Sequence, residues 1–186
     1  MGVEAGQLIG RVTGAASAVA LPAAFERLFL EEYPRVAAIA FRVLGDRAEA
    51  EDVAQEVLLA FYRHHAPDAS YAAPWLRAAA AHAALNVIRG RKRRERREAI
   101  AAMEQANAVA DPEEDTLAGE RRAEVRATLG RLPPKVAALL ALRYSGLSYA
   151  EVASALGLKT DQVGTRLRRA QEAFRREVLR GSAQRT

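Results

Sequence analysis

The sequence predicts an all-α protein of two small helical domains joined by an acidic linker, the second containing a helix-turn-helix. Three observations predict it. Half of the 186 residues are apolar, so a packed core is expected rather than disorder. The apolar residues recur at intervals of three and four, the period of a helix face. The charges fall in blocks: no Lys or Arg stands between Arg97 and Arg121, where Glu104, Asp111, Glu113, Glu114, Asp115 and Glu120 gather. The net charge of +5 therefore comes from two basic blocks flanking an acidic one, a distribution suited to meeting a polyanion at two separated places.

Some classes are excluded at once. The chain has no cysteine, which removes disulfides and thiolate metal sites. No apolar run has the length of a membrane span, so membrane insertion is not expected. The stretch "GAASAVALPAA" has a superficial look of a signal peptide, but it is weakly apolar, contains Pro22 and follows Glu4 rather than a cationic cluster. Residues 1–21 are read as a loose N-terminal extension.

In chain order, Phe25, Leu28, Phe29, Val36, Ile39, Ala40 and Val43 outline a first helix that Pro34 either kinks or restarts. "LGD" ends it: Gly45 suits a left-handed cap, and Asp46 with Glu49 forms a capping-box pattern for the next helix. That helix carries one apolar stripe (Ala50, Val53, Ala54, Val57, Leu58, Phe61), with Glu51, Asp52, Gln55, Glu56 and Leu59 on another face. By spacing alone the acidic face is a solvated surface. "HHAPDASYAAP" is a loop, and Pro74 suits the first turn of a helix carrying Trp75, Leu76, Leu85 and Ile88 into a basic block.

That block, "NVIRGRKRRERRE", has seven Lys or Arg in thirteen positions. Arg89, Lys92, Arg93, Arg96 and Arg97 follow helical spacing, so they form one cationic ridge, favourably placed at a helix C-terminus. Residues 99–116 lack an apolar stripe and include "ADPEED", which makes them a linker that leaves two separately folding domains, 22–98 and 117–178. The second domain shows four helical patterns: Leu117 to Gly130; a helix started by "LPP" with Val136, Leu139 and Leu140; a short helix with Val152, Ala153 and Leu156 behind a Ser148/Glu151 capping box; and, after "LGLKT", a helix with Val163, Leu167, Ala170 and Phe174. The short helix, the Gly157 turn and the last helix have helix-turn-helix spacing, and the last helix presents Gln162, Thr165, Arg166, Arg168 and Arg169 away from its apolar stripe, donors suited to base edges and phosphates. Residues 179–186 are left as a tail.

Together, "GDRAEAEDVAQEVLLAFYR", "APWLRAAAAHAALNVIRGRKRR", "LGRLPPKVAALLALRYSGLSYAEVASALG" and "QVGTRLRRAQEAF" closely resemble the sigma-70 family sigma factors of bacterial RNA polymerase, the extracytoplasmic-function (ECF) group. The resemblance spans roughly Phe25 to Glu177. It implies a transcription-initiation role in the cytoplasm, typically in stress response, without enzymatic chemistry or cofactor. Core RNA polymerase and promoter DNA are the implied partners, and the group often has an anti-sigma factor. On this resemblance the face with Asp52, Gln55, Glu56 and Leu59 grips the polymerase. The loop from His64 to Ala73 and the helix with His82, Asn86, Arg89, Lys92, Arg93 and Arg96 capture the melted minus-ten strand. Lys159, Gln162, Thr165, Arg166 and Arg169 read the minus-thirty-five element. The ridge then neutralises phosphates while neighbouring side chains read unstacked bases.

The chain departs from the family's common pattern in three places. Ala81 and His82 stand where an Arg-Asn pair is usual, Gly164 replaces a common Lys, and Lys159 stands at the usual Ser cap, with Thr160 next. A stand-alone regulator using only the helix-turn-helix, its front half serving dimerisation or sensing, is the rival for the same sequence. An enzyme is disfavoured: there is no Walker glycine loop, HExxH or GxSxG, and the three histidines lack a matched carboxylate pattern, with adjacent His64 and His65 unable to share one helix face.

Overall fold

The computed structural model describes residues 21–104 and 117–183, so the N-terminal extension and most of the expected linker lie outside the described residues. Among the described residues every regular element is a helix. The first half is α1 (Ala23–Leu44), α2 (Arg47–His64) and α3 (Ala72–Glu104); the second is α4 (Leu117–Arg131), α5 (Pro134–Tyr144), α6 (Tyr149–Leu156) and α7 (Thr160–Ala183). None is long and apolar enough to cross a membrane.

Pro34 neither restarts nor ends α1, which runs unbroken through it. The proline is exposed, so the carbonyl it leaves without a helical donor faces water. The helix closes at Gly45 with φ +74°, a left-handed conformation that glycine adopts without a Cβ clash, and the Gly45 N–H donates to the Phe41 carbonyl at 2.8 Å. Asp46 then caps α2, its Oδ1 accepting from the Glu49 N–H at 2.9 Å. The Glu49 carboxylate itself pairs with Arg91 of α3, which ties the start of α2 to the basic helix.

The helix α3 is the spine. Its 33 residues would extend about 50 Å, and it runs to Glu104, past the position 98 at which the linker was expected to begin. Arg91 with Glu95 and Arg94 with Glu98 have i, i+4 spacing, which supports a helix after its apolar stripe has ended. Leu76, Ala80, Ala81, Ala84, Leu85 and Ile88 are buried, and their small side chains let neighbouring helices approach closely. α1 and α2 cover part of this surface; α4, α5 and α6 contact it as well, so one apolar core continues from the first half into the second.

In the second half Leu139, Leu140, Leu142, Val152, Val163 and Leu167 are buried between α5, α6 and α7. Residues 179–183, expected as tail, continue α7. Arg131 of α4 steadies this end: its Nη2 donates to the Glu177 carbonyl at 3.3 Å, and its Nε lies 3.6 Å from the Glu177 carboxylate.

Candidate nucleic-acid and polymerase interfaces

Three surfaces carry the residues singled out from the sequence. The first is the outer face of α2. Val53, Ala54, Val57, Leu58 and Phe61 enter the core, which turns Asp52 and Glu56 out to solvent and leaves Gln55 and Leu59 half-buried between them. Glu51 is occupied by Arg47 at 2.9 Å. Asp52 and Glu56 have no ion-pair partner among the described residues, so this helix presents uncompensated negative charge one turn apart, with an apolar leucine at its margin.

The second surface joins the α2–α3 loop to α3. The backbone N–H of His65 donates to the Phe61 carbonyl at 2.8 Å as α2 ends, so the two adjacent histidines diverge: His64 is exposed while His65 turns inward. The His65 ring lies 5.0 Å from Phe61 and 4.8 Å from Trp75, with Tyr71 edge-on at 5.8 Å. Tyr71 is half exposed, and its hydroxyl lies 3.4 Å from His65 Nδ1. The result is an aromatic cluster on a short loop, with ring surface open to solvent. Sequence reasoning took this segment as a loop and missed the cluster; aromatic residues interleaved with turn formers were the available signal.

Along α3, His82, Asn86, Arg89, Arg93 and Arg96 succeed one another at intervals of four and three, so they share one face. Asn86, Lys92 and Arg93 are exposed; the Arg96 side chain lies outside the described residues. Arg89 is half-buried, and its Nη2 donates to the Leu132 carbonyl of the second half at 3.2 Å. His82 is half-buried as well, and burial first, then the neighbouring Arg89 charge, holds its imidazole below the usual value. The native state thus binds fewer protons than the unfolded chain once pH drops below about 6.5, and the stability this group contributes is lost as pH falls toward its folded value. Thermal melts between about pH 7.5 and 5.5 should show declining stability, and His82→Asn should flatten that decline. An unchanged slope in the variant would remove His82 as its source.

The third surface is the helix-turn-helix. Ser148 caps α6 reciprocally: its Oγ accepts from the Glu151 N–H at 3.2 Å, and the Glu151 carboxylate accepts from the Ser148 N–H at 2.9 Å. These bonds to Ser148 come first among the causes that hold the Glu151 carboxyl below the usual carboxylate range. Gly157, at φ +62°, makes the turn. Val163, Leu167 and Ala170 then seat α7 in the core, and Lys159, Gln162, Thr165, Arg166 and Arg169 are all exposed. Gln162 and Arg166 are linked at 3.2 Å, so the two present a combined acceptor and donor set.

Gly164 does not lie on that outer face. A Cβ built there would meet the Tyr149 ring at 3.5 Å, an ordinary contact within the domain. The side chain that glycine lacks would thus lie against Tyr149 rather than project from the outer face, and Gly164→Ala is expected to stabilise the protein by about 0.8–1 kcal/mol with DNA affinity unchanged. Thermal unfolding with a parallel duplex titration checks both halves of that statement; weaker DNA binding would contradict the geometry.

The arrangement of a three-helix unit with an acidic face and a basic spine, followed by a helix-turn-helix unit, is matched by two family descriptions. Residues 28–94 match "Sigma-70 region 2" and residues 122–173 match "Sigma-70, region 4". The chain belongs to the sigma-70 family. Region 2 thus covers α1, α2 and most of α3, and region 4 runs from α4 into α7. The RNA polymerase sigma-H factor of Pseudomonas aeruginosa is 32% identical over 163 residues, covering 81% of this chain and 84% of that protein. The ECF RNA polymerase sigma factor SigE of Mycolicibacterium smegmatis is 28% identical over 166 residues, covering 86% of this chain but 63% of that longer protein. Among solved structures, CnrH in complex with the cytosolic domain of CnrY shares the fold, with a TM-score of 0.50 at 19% identity, covering 90% of this chain and 92% of that one.

Proposed function

We propose that this chain is an ECF-type initiation factor that binds core RNA polymerase and directs it to specific promoters. Residues 22–98 act as the region 2 domain and residues 117–178 as the region 4 domain. Asp52, Gln55, Glu56 and Leu59 engage the polymerase. His82, Asn86, Arg89, Lys92, Arg93 and Arg96 hold the minus-ten strand, with the exposed Tyr71 beside His65 and Trp75 offering a ring on which an unstacked base can lie. Lys159, Gln162, Thr165, Arg166 and Arg169 meet the minus-thirty-five duplex. The observation that carries this reading is the co-occurrence of three distinct surfaces: an unpaired acidic helix face, a basic helix beside an aromatic loop, and an exposed helix-turn-helix face. A stand-alone regulator would need only the last.

No step of bond making falls to this protein; the polymerase performs the chemistry, and the site of action is the cytoplasm. An anti-sigma factor is a further partner on family grounds, as CnrH is paired with the cytosolic domain of CnrY. Run-off transcription with purified core polymerase and a promoter library tests the proposal. Promoter-dependent transcripts that require the chain are the expected result, and tight duplex binding without any polymerase-dependent activity would favour the regulator instead.

The basic ridge has its own test. Each neutralised phosphate contributes roughly 0.7 (single strand) to 0.9 (duplex) to the slope of log affinity against log salt. Replacing Arg89, Lys92, Arg93 and Arg96 by Ala is expected to flatten that slope by up to about 2.8 on a single strand. Filter-binding or anisotropy titrations across a salt series read it directly, and an unchanged slope would leave the ridge without a DNA role.

A further inference from the structure

The α2–α3 loop is short and braced along its backbone. Residues 66–69 form a turn with Pro67 at its second position, where the fixed φ of proline fits, and the Ala69 N–H donates to the Ala66 carbonyl at 3.2 Å. The Ala72 N–H then donates to the Ala69 carbonyl at 2.9 Å, and the Trp75 N–H to the Tyr71 carbonyl at 2.9 Å as α3 begins. The main chain of Tyr71 is therefore set by the loop and the helix start. The direction of its side chain is a separate matter, because Tyr71 is 49% exposed.

Among the described residues the one ring that meets Tyr71 is His65, edge-on at 84° and 5.8 Å, with the Tyr71 hydroxyl 3.4 Å from Nδ1. That distance lets the hydroxyl donate to an imidazole that carries its proton on Nε2. His65 is itself held from the other side. Its ring stacks at 27° and 5.0 Å on the fully buried Phe61 and tilts against Trp75 at 4.8 Å, while Phe61 and Trp75 meet at 5.4 Å. The imidazole thus joins the core rings to the exposed one. A half-exposed tyrosine without such a contact would be divided among rotamers. Ordering it at the moment of binding costs affinity, and ordering it beforehand removes that cost.

We propose that His65 is a positioning residue for nucleic acid: without touching the strand, its imidazole holds the Tyr71 ring in the direction in which one unstacked base lies down on it. Every base has a π-face, so such a platform tolerates any sequence. Asn86, Lys92 and Arg93 stand exposed on the helix that follows and meet the polar and phosphate groups of the same strand. The choice of histidine follows from its two tasks. A phenyl ring would pack on Phe61 and Trp75 but offer the hydroxyl nothing, and an amide would offer an acceptor but no ring.

The reception of a base rests on the strand-binding reading of this loop; the ordering of Tyr71 by His65 does not, and the test separates them. In the full-length protein, ring carbon relaxation at Tyr71, assigned through Tyr71→Phe, reads side-chain order. A short single-stranded oligothymidylate carrying one 2-aminopurine reads affinity and, by quenching, stacking. Emission of Trp75, the only tryptophan in the chain, checks that the core rings stay packed. His65→Phe is expected to keep the melting temperature near wild type, to free the Tyr71 ring, and to weaken oligonucleotide binding about two- to fivefold, the worth of one exposed neutral hydrogen bond. Tyr71→Phe should weaken binding equally, and the double variant should be no worse than either single one, since both remove the same bond. His65→Asn keeps an acceptor near the place of Nδ1 but gives up the stacking, so it should melt lower and yet bind closer to wild type than His65→Phe.

A Tyr71 ring equally ordered in wild type and His65→Phe would overturn the positioning role. So would affinity that follows the ring instead of the acceptor, with His65→Asn binding more weakly than His65→Phe. Lost ring order with unchanged affinity and quenching would overturn the reception of a base. All shifts as expected in a protein inactive with core polymerase would instead count against the proposed function alone.

Discussion

The double variant Asp52→Lys, Glu56→Lys is expected to lose assembly with core polymerase while retaining its helix content. Both side chains point to solvent from a helix whose other face is fully buried, so reversing them removes no internal contact. The Asp46 cap and the Arg47–Glu51 pair that support α2 remain. Reversal at two positions changes the local charge by four, and like charges set against a complementary surface cost several kcal/mol, so affinity should fall on the order of 30-fold or more. Co-elution with core polymerase, read beside far-ultraviolet circular dichroism, decides the matter. Normal co-elution of a folded double variant would return this face to a merely solvated role.

The second large effect concerns stability. Arg77→Met should destabilise the protein by about 3 kcal/mol, because it keeps an apolar stem but leaves the Glu32 carboxylate buried without its bidentate partner. The low end of the expected range applies, since Arg35 still reaches Glu32 at 3.2 Å from an exposed position. The hydrogen bond to Glu32 is also the first cause of the raised Arg77 pKa, consistent with a guanidinium held chiefly by that partner. Glu151→Gln, by contrast, should change stability by less than about 1 kcal/mol, as its pair with Arg77 is open to water. Urea unfolding midpoints compared at constant slope separate the two. Equal losses would mean that the internal and outer partners of Arg77 are not distinct.

Much of the local architecture was written in short-range patterns. The α2 stripe, the Ser148 capping box, the glycine turns at 45 and 157 and the buried face of α7 each depend on residues within one or two helical turns, and each appears where the spacing puts it; at Asp46 only half of the expected box forms, since Asp46 caps the Glu49 N–H while the Glu49 carboxylate turns to Arg91. Spacing alone allows Pro34 either to start a helix, where its missing N–H costs no helical hydrogen bond, or to kink one, where it does; Tyr33 and Val36, buried on either side, belong to one continuous α1 that passes through it. The outward direction of Asp52, Glu56, Gln162, Thr165, Arg166 and Arg169 follows from the same periodicity, since burying one face of a helix exposes the other.

The seam between the halves was not legible in that way, although one trace of it was present. Glu32 stands four residues after Leu28 and four before Val36, on the buried stripe of α1, a position where a carboxylate requires a partner. Which of 28 basic side chains supplies it cannot be read from spacing, because Arg77 is 45 positions away. The same holds for Arg89, which periodicity assigns to a DNA ridge and packing turns onto a backbone carbonyl, and for His65, Tyr71 and Trp75, brought into one cluster by the end of α2. Gly164 is the clearest case: in sequence it lies between a buried and an exposed residue, and only the placement of Tyr149 shows that its missing side chain faces inward. The sequence by itself determined where the helices start, most of their caps and most of the faces they turn outward, since these depend on neighbours three or four residues apart. Only the tertiary structure decided which of those faces meet, because a contact across 45 or 74 residues depends on how complete helices pack.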